Sequence, residues 1–318
     1  MIRPIAFSLS VAAILLSGCT PVSPAPVATA PAAAPVASSP LLDDVRVLSG
    51  DDMQGRDTGS AGGERARAYI VSRLEAMGVQ PAPFGRLQPF EATGRTREGV
   101  KRFSGVNIVG LIPGTRVADR YIVVTAHYDH VGMNDGQIYH GADDNASGVA
   151  TMLELARRLK AQAPEHSVLI VALDGEERGL LGAREFVKAP PVPLSSISLN
   201  LNFDMTARAE TDGHLWVTGG YQHPDLRRIL EPIPAQGAVS FAFGKDTPQD
   251  TGENNWVDSS DHAAFHEAGV PFLYMGVEFH PDYHRPSDTF ERINPAVFTS
   301  ATELAIAGFH ALDKGLDH

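Results

Sequence analysis

From residue 41 onward the chain alternates between two spacings of apolar residues. Ala66, Ile70, Val71, Leu74 and Met77 recur at helical intervals, which predicts a helix over Glu64–Met77 stopped by Gly78. Val149, Met152, Leu153, Leu155, Ala156 and Leu159 do the same across Ser147–Leu159. Around these helices lie runs rich in β-branched residues, Val106–Leu111, Tyr121–Ala126 and Ser167–Leu173, the composition of strands buried on both faces. Ser198–Phe203 alternates apolar and polar residues as a strand does, and His214–Val217 reads as an edge strand. Asn294-Pro295 opens a last helix reaching about Leu312, because Pro is favoured at the first helical position. Strands alternating with helices, without an internal repeat, predict one α/β domain over residues 41–318, its sheet mixed but mostly parallel and flanked by helices. Gly237–Ser260, rich in Gly, Asp and Asn, reads as a long loop of the kind that often serves function, with Trp256 as its apolar contact.

The first forty residues follow neither spacing. Arg3 precedes a mostly apolar run from Ile5 to Leu16, which leads into Ser17-Gly18-Cys19. A basic start, a short apolar run and small residues read as a secretory signal over residues 1–18. The run falls short of the roughly 20 apolar residues that span a bilayer. Leu16-Ser17-Gly18-Cys19 resembles the lipobox of bacterial lipoproteins. That resemblance implies that Cys19 becomes the acylated first residue and anchors the chain to a membrane of the bacterial cell envelope. Thr20 stands where an Asp is associated with inner-membrane retention, so the outer membrane is favoured. Residues 19–40 are almost wholly Pro, Ala, Val, Ser and Thr, a composition that buries no core and forms an extended tether.

Composition narrows the chemistry. The 318 residues carry a net charge of −12, twelve histidines and a single cysteine. The acidic balance argues against nucleic acid as a partner, and one cysteine excludes an intramolecular disulfide framework or a multi-cysteine metal site. Any metal must be held by histidine and carboxylate.

Such residues cluster in short segments, several just after a predicted strand: Thr125-Ala126-His127-Tyr128-Asp129, Gly141-Ala142-Asp143-Asp144-Asn145-Ala146-Ser147-Gly148, Asp174-Gly175-Glu176-Glu177, Asn202-Phe203-Asp204 and Tyr283-His284-Arg285-Pro286-Ser287-Asp288. In open α/β sheets ligands gather outside the carboxyl ends of strands. Imidazoles and carboxylates converging there suit Zn²⁺ or a similar ion. Two histidines and three carboxylates exceed what one tetrahedral zinc needs; with one carboxylate bridging, they make two sites of three ligands each. His262 and His266 have zincin spacing but lack the Glu after the first His. His280 and His284 are also four apart, with Pro281 between them arguing against a regular helix. No Gly-x-Ser-x-Gly elbow, dinucleotide fingerprint or P-loop is present.

In their order along the chain, His-x-Asp, Gly-Ala-Asp-Asp-Asn-Ala-Ser-Gly, Gly-Glu-Glu-x-Gly-Leu, Asn-x-Asp-Met, Ser-Asp-His and Tyr-His-x-x-x-Asp-Thr resemble the M28 family of co-catalytic zinc exopeptidases. Gly55-Arg56-Asp57-Thr58-Gly59-Ser60 resembles the family's N-terminal pattern as well. The resemblance implies the zinc-exopeptidase, phosphorylase/hydrolase-like fold and two Zn²⁺ per chain. It further implies that Asp144 bridges the ions, that His127 and Asp204 complete one site, and that Glu177 and His284 complete the other. Glu176 would be the general acid/base, Asp129 would orient the His127 ring, and Tyr283 would donate to the developing oxyanion. Asp143 reads as a turn residue, and Asp261 and His262 either support the ligands or cap a helix. The activity most often implied is hydrolysis of the first peptide bond of a peptide with a free N-terminus. The same scaffold serves carboxypeptidases and dipeptidases, for which Arg178, Arg208 or Arg285 would clamp a terminal carboxylate, and also single-zinc glutaminyl cyclases. A non-catalytic binding module would have lost ligands, and here every ligand position is filled.

Overall fold

A computed structural model describes residues 39–96 and 99–316. The leader, Cys19 and all but the last two residues of the Pro/Ala-rich tether lie outside the described residues. Of those two, Ser39 is the N-cap of the first helix, α1 (Pro40–Leu48), accepting a hydrogen bond from the Leu42 N–H with Pro40 in the first turn. This first helix thus starts one residue before the boundary read from composition, since Ser-Pro suits a helix start as well as it suits a tether. Ser60 likewise caps α2 (Ala61–Ala76) by accepting from Gly63 N–H, so this helix starts three residues before its apolar pattern does.

The main sheet is built around four parallel neighbours. These are β7 (His166–Leu173), β4 (Val117–His127), β8 (Ile197–Phe203) and β11 (Phe272–Gly276), adjacent in that order. On one side β3 (Gly99–Ile112) runs antiparallel to β7 and pairs in turn with β2 (Leu87–Thr96) and β1 (Gln80–Pro81). On the other side β9 (His214–Thr218) runs antiparallel to β11 and carries β10 (Ser240–Phe243) outside it. β9 is therefore an interior strand and β10 the edge. The predicted Gly237–Ser260 loop contains that edge strand, whose four half-buried residues are too few to announce it.

Helices cover both faces, which is why the central strands carry no solvent-facing side. Ile122, Val124, Ala126, Val168, Ile170 and Ala172 join the core cluster with α1, α2, α3 (Gly148–Ala161) and α7 (Pro295–Gly315). Val123, Leu169, Val171 and Leu173 point the other way, toward α4 (Leu181–Lys188) and α6 (His262–Glu267). In β8 the alternation separates an apolar face, Leu199, Leu201 and Phe203, from a polar face that is also buried. There Asn200 donates to Val123 O and Thr125 Oγ1, Thr125 donates to Asn202 Oδ1 at 2.6 Å, and Asn202 donates to Ser260 Oγ. This ladder offsets most of the cost of burying four polar side chains, with Asn200 Oδ1 alone among its amide oxygens meeting no partner among the described residues. It also ties α6 to the sheet beside the carboxyl ends of the strands.

Candidate functional site

The carboxyl ends of the four parallel strands converge on one group of side chains. His127 is the last residue of β4, Glu176 and Glu177 follow β7, Asp204 follows β8, and His284 lies in the segment after β11. Asp144 sits in the tight turn 142–147 that leads into α3. Its two oxygens face opposite ways. Oδ1 is 3.5 Å from His127 Nε2, which in turn is 3.3 Å from Asp204 Oδ1. Oδ2 is 3.0 Å from His284 Nε2, which is 3.2 Å from Glu177 Oε1. All five ligand positions read from the sequence are thus brought together, with Asp144 between two groups. A zinc ion bonded at about 2.0 Å in a tetrahedral site spaces its ligand atoms by about 3.3 Å. The donor set, imidazole and carboxylate, is also one that zinc accepts, so these residues fit the metal.

The turn that presents Asp144 is fastened by its own motif. Gly141 has φ +56°, and a Cβ there would meet the Asp144 carbonyl and, at 2.6 Å, the His130 ring. A Cβ on Gly148 would run into the Asn145 side chain and the Phe203 carbonyl. Asn145 donates to Phe203 O and accepts from Gly148 and Met205 N–H groups. Asp143, expected to be a turn residue, is fully buried and accepts from Ser147 Oγ, Ala207 N–H and His280 Nε2. Its carboxylate stitches three segments, which an isolated Asp in a turn gives no hint of. Asp288 receives the N–H groups of Asp143 and Asp144 at 3.0–3.1 Å, fixing the backbone that aims the central carboxylate. Its Tyr-His-x-x-x-Asp-Thr motif marked Asp288, but not this role.

Asp129 works differently from the sequence reading. His127 Nδ1 donates to the Asp129 backbone carbonyl at 3.1 Å, while the carboxylate oxygen is 3.7 Å away. That carboxylate instead accepts from the N–H groups of Glu176 and Glu177 and from Thr58 Oγ1, so it positions the Glu-Glu pair as well as the ring. Thr58 belongs to the N-terminal motif, and its neighbours serve the same framework. The guanidinium of Arg56, wholly buried, donates to the carbonyls of Leu48, Tyr128, His140 and Gly141, and burial pulls its pKa down to about 10.

The two adjacent glutamates are driven apart electrostatically. Burial, aided by the charges of Glu177, Asp204 and Asp261, raises Glu176 well above the usual carboxylate range despite the nearby His127. Burial would raise Glu177 too, but hydrogen bonds from His130 and His284 outweigh it and hold Glu177 well below that range. Asp261 makes no cap at the start of α6, and neither carboxylate oxygen has a partner among the described residues. Burial pushes it up to about 7, with Asp204 adding to and His127 opposing the shift. His262 donates through Nε2 to Trp256 O, which holds the segment after β10 against α6.

A cleft opens on one side of this centre, lined by Glu176, Asp204, Tyr283 and His284 together with Met205, Trp256, Tyr274, Val277 and Phe279. Trp256 is buried and packs edge-on against Tyr274 and Phe279. Tyr283 stacks on His284 with ring centroids 4.0 Å apart. Among the described residues no guanidinium lines the cleft. Arg178 is paired with Asp57 at 2.5 Å, Arg208 with Glu210 and Asp282, and Arg285 is exposed away from the lining. One residue near the centre was not singled out from sequence: His130, fully buried, with Nδ1 2.7 Å from Glu177 Oε1. The signal available was a second histidine three residues beyond His127.

Comparison with known proteins agrees with this geometry. The model of peptidase family M28 matches residues 107–308. Aminopeptidase YwaD of Bacillus subtilis is 32% identical over 222 residues, covering 65% of this chain and 45% of that protein. The chain spans about half the length of the curated relatives it matches. A zinc aminopeptidase structure from Bacillus subtilis superposes with a TM-score of 0.67 at 20% identity, over 85% of this chain and 93% of that one. Porphyromonas gingivalis glutaminyl cyclase superposes with 0.62 at 18% identity, over 85% and 96%. At these identities the structures share the fold.

Proposed function

Because this chain belongs to peptidase family M28, we propose that it is a two-zinc aminopeptidase that removes the first residue from peptides with a free N-terminus. His127, Asp144 and Asp204 hold one ion; Asp144, Glu177 and His284 hold the other. Zinc, when bound, supplies Lewis-acid polarisation of the scissile carbonyl and makes water available as a nucleophile near neutral pH. Glu176 takes the proton from the attacking water and returns it to the leaving amine, a task suited to a carboxyl raised by burial. Tyr283, in the cleft wall, donates its hydroxyl proton toward the charge that develops on the carbonyl oxygen. Trp256, Tyr274 and Phe279 seat the side chain of the first residue.

The observation that carries the choice of aminopeptidase is the charge of the cleft lining. Glu176 and Asp204 line the cleft, where a substrate ammonium would meet them, and among the described residues no arginine lines it to clamp a terminal carboxylate. The discriminating experiment is paired: hydrolysis of a leucyl anilide against hydrolysis of an N-blocked dipeptide, both with the zinc-loaded protein. Turnover of the anilide alone supports the proposal. Turnover of the blocked dipeptide alone establishes a carboxypeptidase, and cyclisation of an N-terminal glutamine without peptide release establishes a cyclase. Cys19 is proposed to carry lipid and hold the domain at a cell-envelope membrane, a reading supported by the Leu16-Ser17-Gly18-Cys19 stretch that follows the short apolar run.

A further inference from the structure

His130 and Glu177 both stand outside the lining of the cleft, and the His130 ring is fully buried. Its Nδ1 faces Glu177 Oε1 at 2.7 Å and Asp144 Oδ2 at 3.8 Å. The same two oxygens face His284 Nε2 at 3.2 and 3.0 Å. Four donor atoms, two imidazole nitrogens and two carboxylate oxygens, therefore stand within 4.8 Å of one another. The four measured edges scatter about the roughly 3.3 Å expected between ligands of a tetrahedral zinc. The other ring nitrogen, Nε2, is buried and meets no polar partner among the described residues, so Nδ1 alone makes the ring's polar contacts. Gly141 holds the ring in this corner, because a side chain at that position would occupy its place.

We propose that His130 is a fourth protein ligand, through Nδ1, of the ion held by Asp144, Glu177 and His284. This rests on the two-zinc reading and adds an asymmetry to it. With four protein ligands that site is closed in the manner of a structural zinc, whereas His127, Asp144 and Asp204 leave the other ion an open position. The cleft agrees in part: His127, Asp144 and Asp204 all line it, whereas of the other set Asp144 and His284 do and Glu177 and His130 do not. The His127 side is then where substrate and water are engaged, and the His130 side anchors the shared carboxylate.

The test is zinc binding by the full chain, measured by competition with a chromophoric chelator on apo-protein. Wild type, His130→Ala and His130→Asn are compared, each checked for folding by circular dichroism. Asn keeps an N–H donor near the position of Nδ1 but is a poor zinc ligand. Wild type should take up two ions, and both variants should weaken one ion by more than about 100-fold, beyond what loss of hydrogen-bond support costs a metal site. A smaller loss in His130→Asn overturns the proposal and leaves His130 a hydrogen-bonding support for Glu177. Should the variants fail to fold, imidazole ¹⁵N spectra of wild type decide the matter. A proton retained on His130 Nδ1 after zinc addition overturns the proposal, and loss of that proton with a metal-bound shift supports it. Uptake of a single ion by wild type would instead refute the two-zinc reading, and the same spectra would still show whether His130 ligates that ion.

Discussion

Glu176 and Glu177 are neighbours in sequence with opposite demands placed on them. Glu177 accepts from two imidazoles and stays ionised, as a ligand must; Glu176 faces carboxylates in a buried setting and holds a proton readily. Glu176→Gln preserves the shape of the site and removes only the titrating group. Zinc content by mass spectrometry should stay at the wild-type value while kcat falls by about 10²–10⁴-fold; retained turnover would refute the assigned role. His262 offers a pH test away from the ligands. Burial lowers its ring from 6.5 to about 4, so between those values the unfolded chain binds a proton that the folded chain refuses. Its contribution to stability is complete above about pH 6.5 and is lost as pH falls toward 4. At pH 4.5 the loss amounts to about 2–3 kcal/mol relative to pH 7. Urea unfolding at the two pH values should show that much less pH sensitivity in His262→Gln.

Among the elements, strand ends and tight turns carry the site, and buried anchors hold them. The four parallel strands β7, β4, β8 and β11 supply direction. The 142–147 turn supplies the shared carboxylate, and the Arg56 guanidinium fastens that turn to α1 and to the segment after β4. Arg56→Met keeps the side chain's bulk but leaves four buried carbonyls without their donor. Global stability should fall by about 3 kcal/mol or more in chemical denaturation, with zinc affinity reduced as the Gly141–Asp144 backbone loosens. The sequence announced β4, β7 and α3 because dense apolar runs have one reading when buried on both faces. It did not announce β2, whose ten residues lie mostly toward solvent, or β10 and β11, which are short. Such strands are created by pairing with a neighbour, and no local pattern records the partner.

For the whole molecule, a cluster of buried carboxyl groups at the carboxyl ends of the central strands is placed to take up cations. Asp144, Glu177, Asp204 and Glu176 are gathered there, so without metal their mutual repulsion is opposed by the nearby histidines and by the Arg56 guanidinium. Free zinc at 100 times its dissociation constant should stabilise the protein by about 2.7 kcal/mol for each ion bound, read as a melting temperature several degrees above that of the chelator-treated form. A second expectation concerns the chain outside the described residues. Cys19→Ser should move the expressed protein from the membrane fraction to the soluble fraction with anilide hydrolysis per molecule unchanged.

The sequence by itself determined the fold class, the order of the principal strands and helices, and the five residues that gather between them. Ligand chemistry demands particular side chains at strand ends, and motifs in a fixed order preserve that demand in a readable form. Only the tertiary structure decided that β9 is interior, that Asp129 orients His127 through its carbonyl, that Asp143 and Asp288 fasten the central turn, and that His130 stands against Glu177. Each of these depends on which distant segment a group meets, Asp129 included, because its carboxylate is taken by the Glu176 and Glu177 N–H groups and only its carbonyl is left to His127. Hydrogen bonds across 47 residues, as from His130 to Glu177, or 145, as from Asp143 to Asp288, are set by the packing of the sheet and its helices, which no local spacing encodes.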